Sequence, residues 1–172
     1  MDDARTPHAA DLTRLAELRS DYAALRPRVD AGQPWPLAER FGVEPEASWG
    51  PREVLAHLGE MLVYWLGEYE RIVDGGRAAG DGTPFGRNTG DAMRVGILER
   101  DRTVPLRELF ARIDAGIGRW EARLAEAAPG EDDAMGLHPR LGEMTANALV
   151  GRMVLAHLEE HLAQLEGIVA ER

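Results

Sequence analysis

Apolar residues recur at alternating spacings of three and four along four segments of the chain, a period that fits one face of a helix and not a strand. In the first segment, Asp11 to Val29, the stripe is Leu15, Leu18, Tyr22, Leu25 and Val29, with Arg14, Glu17, Arg19 and Asp21 left for solvent. The second opens at Trp49-Gly50-Pro51-Arg52-Glu53 and runs to about Asp74, ahead of Gly75-Gly76. Pro51 suits its first turn, where a missing N–H has no intrahelical partner to lose. Leu55, Leu58, Leu62, Trp65, Tyr69 and Ile72 give it a broad apolar face. The third stripe is the most regular: Leu106, Phe110, Ile113, Ile117, Trp120 and Leu124, the spacing of helices packed at shallow angles in a bundle. Thr103 is expected to cap this helix, Pro105 to lie in its first turn, and Pro129-Gly130 to end it. Gly116 and Gly118 each weaken it by roughly 1 kcal/mol relative to Ala, which points to a neighbouring helix in close approach. The fourth segment runs from Thr145 to the C-terminus, with Val150, Val154, His157, His161, Gln164 and Ile168 on its seam. That seam turns from apolar to polar halfway.

The connections are rich in Pro and Gly: Gly32 to Ser48 with three prolines, Gly75 to Gly90 with six glycines, and Pro129 to Gly142. They are long for a minimal bundle. The glycine-rich stretch has neither a phosphate-loop pattern nor GxGxxG, and no strand flanks it, so it reads as a crossing loop followed by a short helix from Asp91 to Glu99. No internal repeat or low-complexity tract interrupts the pattern. The expected fold is all-α, a four-helix bundle with long crossover loops, as one domain over residues 1–172.

Composition narrows the chemistry. The chain has no cysteine, which excludes disulfides, thiolate metal sites, iron–sulfur ligation and a cysteine nucleophile. All 20 basic residues are Arg, so Schiff-base chemistry, a phosphate-loop lysine and a serine–lysine dyad are excluded as well. Any metal must be held by His, Asp or Glu. Thirty acidic residues leave a net charge of −10, a field that repels phosphate backbones and argues against nucleic acid as a partner. The start MDDARTPHAADL has no apolar run of signal length, and later apolar stretches are broken well short of about 18 residues. A cytoplasmic protein with no membrane partner is therefore expected.

Five histidines are present. His8, near the N-terminus, and His138, before Pro139 in a loop, are expected to be ordinary surface residues. His157 and His161 are four apart on a helix, so their Cβ atoms lie about 6 Å apart on one face. Both rings can then reach one ion at about 2.1 Å. Both also fall on the seam expected to face the bundle interior, where an unsatisfied imidazole is costly. His57 sits in Val54-Leu55-Ala56-His57-Leu58, a setting mirrored by Val154-Leu155-Ala156-His157-Leu158. If the second and fourth segments pack together, the three histidines converge. A histidine pair at this spacing is also common on plain surface, and periodicity does not say which helices touch, so both readings stand on spacing alone. A di-iron centre fits less well, because it uses Glu-x-x-His on two helices and His57-x-x-Glu60 runs in reverse.

Three stretches resemble the DinB-like (DNA-damage-inducible) superfamily: Trp49 to Leu58, His138-Pro139-Arg140-Leu141-Gly142-Glu143-Met144-Thr145, and His157-Leu158-Glu159-Glu160-His161-Leu162-Ala163-Gln164. The resemblance spans nearly the whole chain. It implies a DinB-like four-helix bundle with an unusual crossover order and one divalent metal ion, such as zinc, nickel or iron, held by His57, His157 and His161. It also implies kinship with metal-dependent transferases and isomerases that use low-molecular-weight thiols such as mycothiol or bacillithiol. The family name records induction by DNA damage and not DNA binding. Three imidazoles leave an ion with an open position, as in catalytic sites, for a thiol or a water. The expected function is thus a metal-dependent thiol S-transferase acting on a small molecule, with a metal-binding stress-response module or a metal-dependent hydrolase as alternatives. Because the chain has no cysteine, the thiol would arrive as a soluble cosubstrate. Glu60 and Glu160 are candidate proton acceptors near the metal, or solvated helix residues, and Gln164 is a candidate for orienting a ligand. Trp35 and Trp49 are candidates for a pocket wall or a homodimer contact.

Overall fold

A computed structural model describes residues 8–38, 46–76 and 82–171. The start of the chain, part of the Gly32–Ser48 connection and part of the glycine-rich crossing lie outside the described residues. The elements run α1 (Ala9–Ala31), a 3-10 turn (Glu46–Ser48), α2 (Pro51–Gly76), β1 (Thr83–Pro84), α3 (Ala92–Asp101), α4 (Leu106–Ala125), a second 3-10 turn (Glu131–Asp133), β2 (Met135–His138), β3 (Gly142–Thr145), α5 (Ala146–Leu149), a π-helical segment (Val150–Leu155) and α6 (Ala156–Ala170). The fold is all-α around a bundle: α2 and α1 both pack on α4, and α6 packs on α1 and α2.

The predicted stripes form the core. Every stripe residue of α1, α2 and α4 is buried. The close approach expected at Gly116 is real: a Cβ there would lie 2.8 Å from Leu62 Cδ1 on α2. One turn on, buried Trp120 donates from Nε1 to the Leu62 carbonyl at 3.0 Å. Gly118 is different, since a Cβ there would meet only the Arg19 guanidinium, at ordinary contact distance. Buried Tyr22 donates to the Leu158 carbonyl at 2.7 Å and so fastens α1 to α6. The predicted short helix forms as α3, where the Asp91 side chain caps it by accepting from the Arg94 N–H.

Three expectations need correction. Thr103 does not cap α4: its hydroxyl donates back to the Arg100 carbonyl at 2.9 Å, and Pro105 takes the cap position without a side-chain bond. The stretch Pro129–Gly142 is not simply loop. Met135 to His138 pairs antiparallel with Gly142 to Thr145, and Thr83-Pro84 from the glycine-rich crossing adds a parallel third strand. Gly142, at φ +76°, closes the three-residue hairpin connection. Lastly, the fourth helical segment is not one regular helix. Thr145 caps its start, its hydroxyl accepting from the Ala148 N–H at 3.1 Å, but the backbone widens to a π helix over Val150–Leu155. Such a segment slips the side-chain register. Beyond it the buried face follows Leu155, Leu158, His161, Leu162 and Leu165, whereas the predicted seam residues His157, Gln164 and Ile168 are only half-buried.

Candidate metal centre

The π segment turns His161 inward and leaves His157 at the edge of the bundle, both facing α2. His57, in the first turns of α2, is buried, with the ring of buried Trp49 edge-on at 5.3 Å. The three imidazoles meet: His57 Nε2 and His157 Nε2 are 3.0 Å apart, and the centroids of all three rings lie within 5.1 Å of one another. A fourth residue joins them. Glu46, on the 3-10 turn before α2, brings Oε2 to 3.6 Å from both His157 Nε2 and His161 Nε2, and Oε1 to 3.9 Å from His57 Nε2. One ligand atom from each of the four lies within 4.8 Å of all the others. Two donors bonded at about 2.0–2.2 Å to one tetrahedral ion stand roughly 3.3–3.6 Å apart, so the cluster has the spacing of a ligand set.

Hydrogen bonds around the cluster fix its protons. Gln164 donates from Nε2 to the Glu46 carbonyl at 2.8 Å and to the Trp49 carbonyl at 3.4 Å, which leaves its Oε1 facing His161 Nδ1 at 2.8 Å. His161 must therefore carry its proton on Nδ1. In the neutral ring Nε2 is then a lone pair, buried, without a hydrogen-bond partner, and aimed at a carboxylate. Two acceptors facing each other in a buried site call for a cation between them. Burial pushes the His57 imidazole well below its ordinary value, only partly opposed by Glu46, so this ring too offers a lone pair at neutral pH. Burial alone would raise the Glu46 carboxyl; the hydrogen bonds and charge of the surrounding imidazoles more than offset that and hold it well below the usual carboxylate range. Arg94 pins this carboxylate, with Nη2 donating to Oε1 at 2.7 Å while Nη1 holds the Thr89 carbonyl at 2.9 Å.

A cavity of about 710 Å³ opens beside the cluster, with Trp49, Met61, Trp65 and Met153 as its apolar wall and exposed Glu160 among its polar lining. Glu60 does not line it. Its carboxylate is ion-paired with Arg87, which does, and whose guanidinium lies 3.7 Å from the centroid of the Tyr64 ring. Trp35 is buried elsewhere, donating to the Val29 carbonyl at 2.8 Å, and Trp49 belongs to the cavity wall.

Two histidines expected at the surface are buried. His8 bridges Asp11, at 2.8 Å from Nδ1, and Asp132, at 2.6 Å from Nε2, tying the start of α1 to the second 3-10 turn. His138 lies against Phe85 and Trp65, and its Nδ1 accepts the N–H groups of Arg140 and Leu141 at 3.1 and 3.2 Å. Glu46 is the participant that spacing could not find, because it precedes α2 in a Pro-rich connection with no periodic relation to the histidines.

Among the described residues no helix is long and apolar enough to cross a membrane. No curated protein and no solved structure matches the chain significantly. The sequence profile of the DinB superfamily matches residues 5–165, a span that takes in the bundle, the hairpin and all four residues of the cluster, and the chain belongs to that superfamily.

Proposed function

We propose that His57, His157 and His161 hold one divalent metal ion, with Glu46 as a fourth donor, and that the protein is a metal-dependent enzyme, most simply a low-molecular-weight-thiol S-transferase acting on a small molecule. The observation that carries the metal is the buried Nε2 lone pair of His161, held by Gln164 and facing the Glu46 carboxylate. A bound divalent ion would acidify a thiol or a water that reached it. The residues of the chain prepare the rest. Arg94 restrains Glu46, Gln164 fixes the His161 tautomer, and the apolar wall limits how much water shares the cavity with a substrate. Glu160, exposed and lining the cavity, is the candidate proton acceptor. Sulfur must come from outside, since the chain has no cysteine. If Glu46 stays bound, a tetrahedral zinc is filled by protein donors, so an open position favours a metal that accepts five or six ligands, such as nickel or iron.

The test is turnover of model electrophiles by metal-loaded protein with a panel of small thiols. The transferase reading expects a rate that needs both thiol and metal and is lost in His157→Ala. Turnover that needs the metal but ignores the thiol would point to a hydrolase, with Glu160 as the candidate base. A rate indifferent to both would sink the reading.

A further inference from the structure

The wall of the cavity formed by the hairpin is built differently from the metal cluster. Arg140, in the turn between β2 and β3, and Arg152, in the π segment, are exposed and line the cavity, and neither has a carboxylate partner among the described residues. The other two cavity arginines are occupied, Arg87 by Glu60 and Arg94 by Glu46. His138 lines the same cavity and feels the charge of both Arg140 and Arg152. Because its Nδ1 accepts two backbone N–H groups, its proton must be on Nε2, and no protein acceptor among the described residues meets that N–H. Burial, together with the charges of Arg140 and Arg152, lowers the His138 pKa and keeps the ring in this neutral form. The ring lines the cavity, and its Nε2–Cδ2 edge packs against Gly86, at φ +82°, where a Cβ would stand 2.6 Å from Nε2.

We infer that His138 Nε2–H and the guanidinium groups of Arg140 and Arg152 form a recognition site for an oxyanion, so that the molecule this cavity takes is a small carboxylate or phosphate. The inference rests on the reading of the cavity as the substrate site, but it does not require the metal. Planar guanidinium groups bind either oxyanion through paired N–H donors, and the fixed imidazole N–H adds a donor of defined direction. The hairpin that the sequence did not announce thus has a role: it carries His138, at the end of β2, and Arg140, in the turn, to the cavity.

The experiment is calorimetric titration of the full-length protein with succinate, inorganic phosphate and uncharged succinamide, with metal content measured in parallel. Wild type should bind an oxyanion probe and not succinamide, and the tighter of the two anions identifies the group. Arg140→Gln and Arg152→Gln should each weaken binding about tenfold with metal content unchanged, and the Lys variants should recover part of the loss. Retention of anion binding in metal-depleted His57→Ala would support the wall independently of the metal. The inference falls if succinamide binds as well as succinate, or if both Gln variants bind like wild type. It falls equally if binding disappears with the metal while the arginine variants leave it untouched, because the anion would then sit on the metal.

Discussion

The direction of a single amide decides much of the chemistry at the residue scale. Gln164 is held by two backbone carbonyls, and its remaining oxygen fixes which nitrogen of His161 is free. Residues that orient a metal ligand in this way typically contribute about 10–100-fold in affinity. Gln164→Ala should therefore weaken metal binding by roughly that factor in a competition titration, without changing the fold by circular dichroism. Proton competition adds a second expectation. The His57 and His138 imidazoles are lowered by burial, and in the unfolded chain both titrate near the ordinary value of about 6.5. Below that pH the unfolded state takes up protons that the native state refuses, so the stability of metal-free protein should fall as pH drops from about 7 to 5. Urea midpoints at the two pH values check this, and His138→Gln should flatten the slope. The His157–His161 pair was legible in the sequence because i,i+4 spacing is a property of one helix, whereas His57 joined it only through the family resemblance. Glu46 was not, because a loop carboxylate has no period and its position depends on how the connection folds back.

Among the elements, the π segment does what no stripe predicted: it shifts the core seam of the last helix so that Leu158, Leu162 and Leu165 face inward beside His161, while His157 reaches the cavity edge. Inserting one Ala between Leu155 and Ala156, where regular winding resumes, should rotate α6 by about 100° relative to α5. Loss of metal binding with helix content retained is the expected result, read by metal analysis and circular dichroism. The contact between α2 and α4 gives a separate test. Gly116→Ala places a methyl group against Leu62 and should destabilise the protein by about 1–3 kcal/mol in urea unfolding, with metal affinity unchanged. The stripes of α1, α2 and α4 could be read directly because each buries one continuous face. The hairpin could not. Its strands are four residues each, too short for alternation to stand out, and Pro139 and Gly142 read equally well as loop.

For the molecule as a whole, bundle topology converts three sequence-distant segments into one site. α2 brings His57, α6 brings His157 and His161, and the turn before α2 brings Glu46, while Tyr22 on α1 locks α6 in place from behind. The net charge of −10 repels anions in general, and on the inference above the arginine-lined wall would admit a small one locally. The fold class followed from periodicity and composition, and the absence of cysteine left His, Asp and Glu as the residue types to search. What composition could not supply was the loop geometry that completes the site. Elemental analysis of protein purified without an affinity tag should find about one divalent ion per chain, with the content sharply reduced in both His57→Ala and His161→Ala; metal-free wild type that fails to take up zinc, nickel or iron, or variants that retain the full metal content, would contradict the proposed metal site.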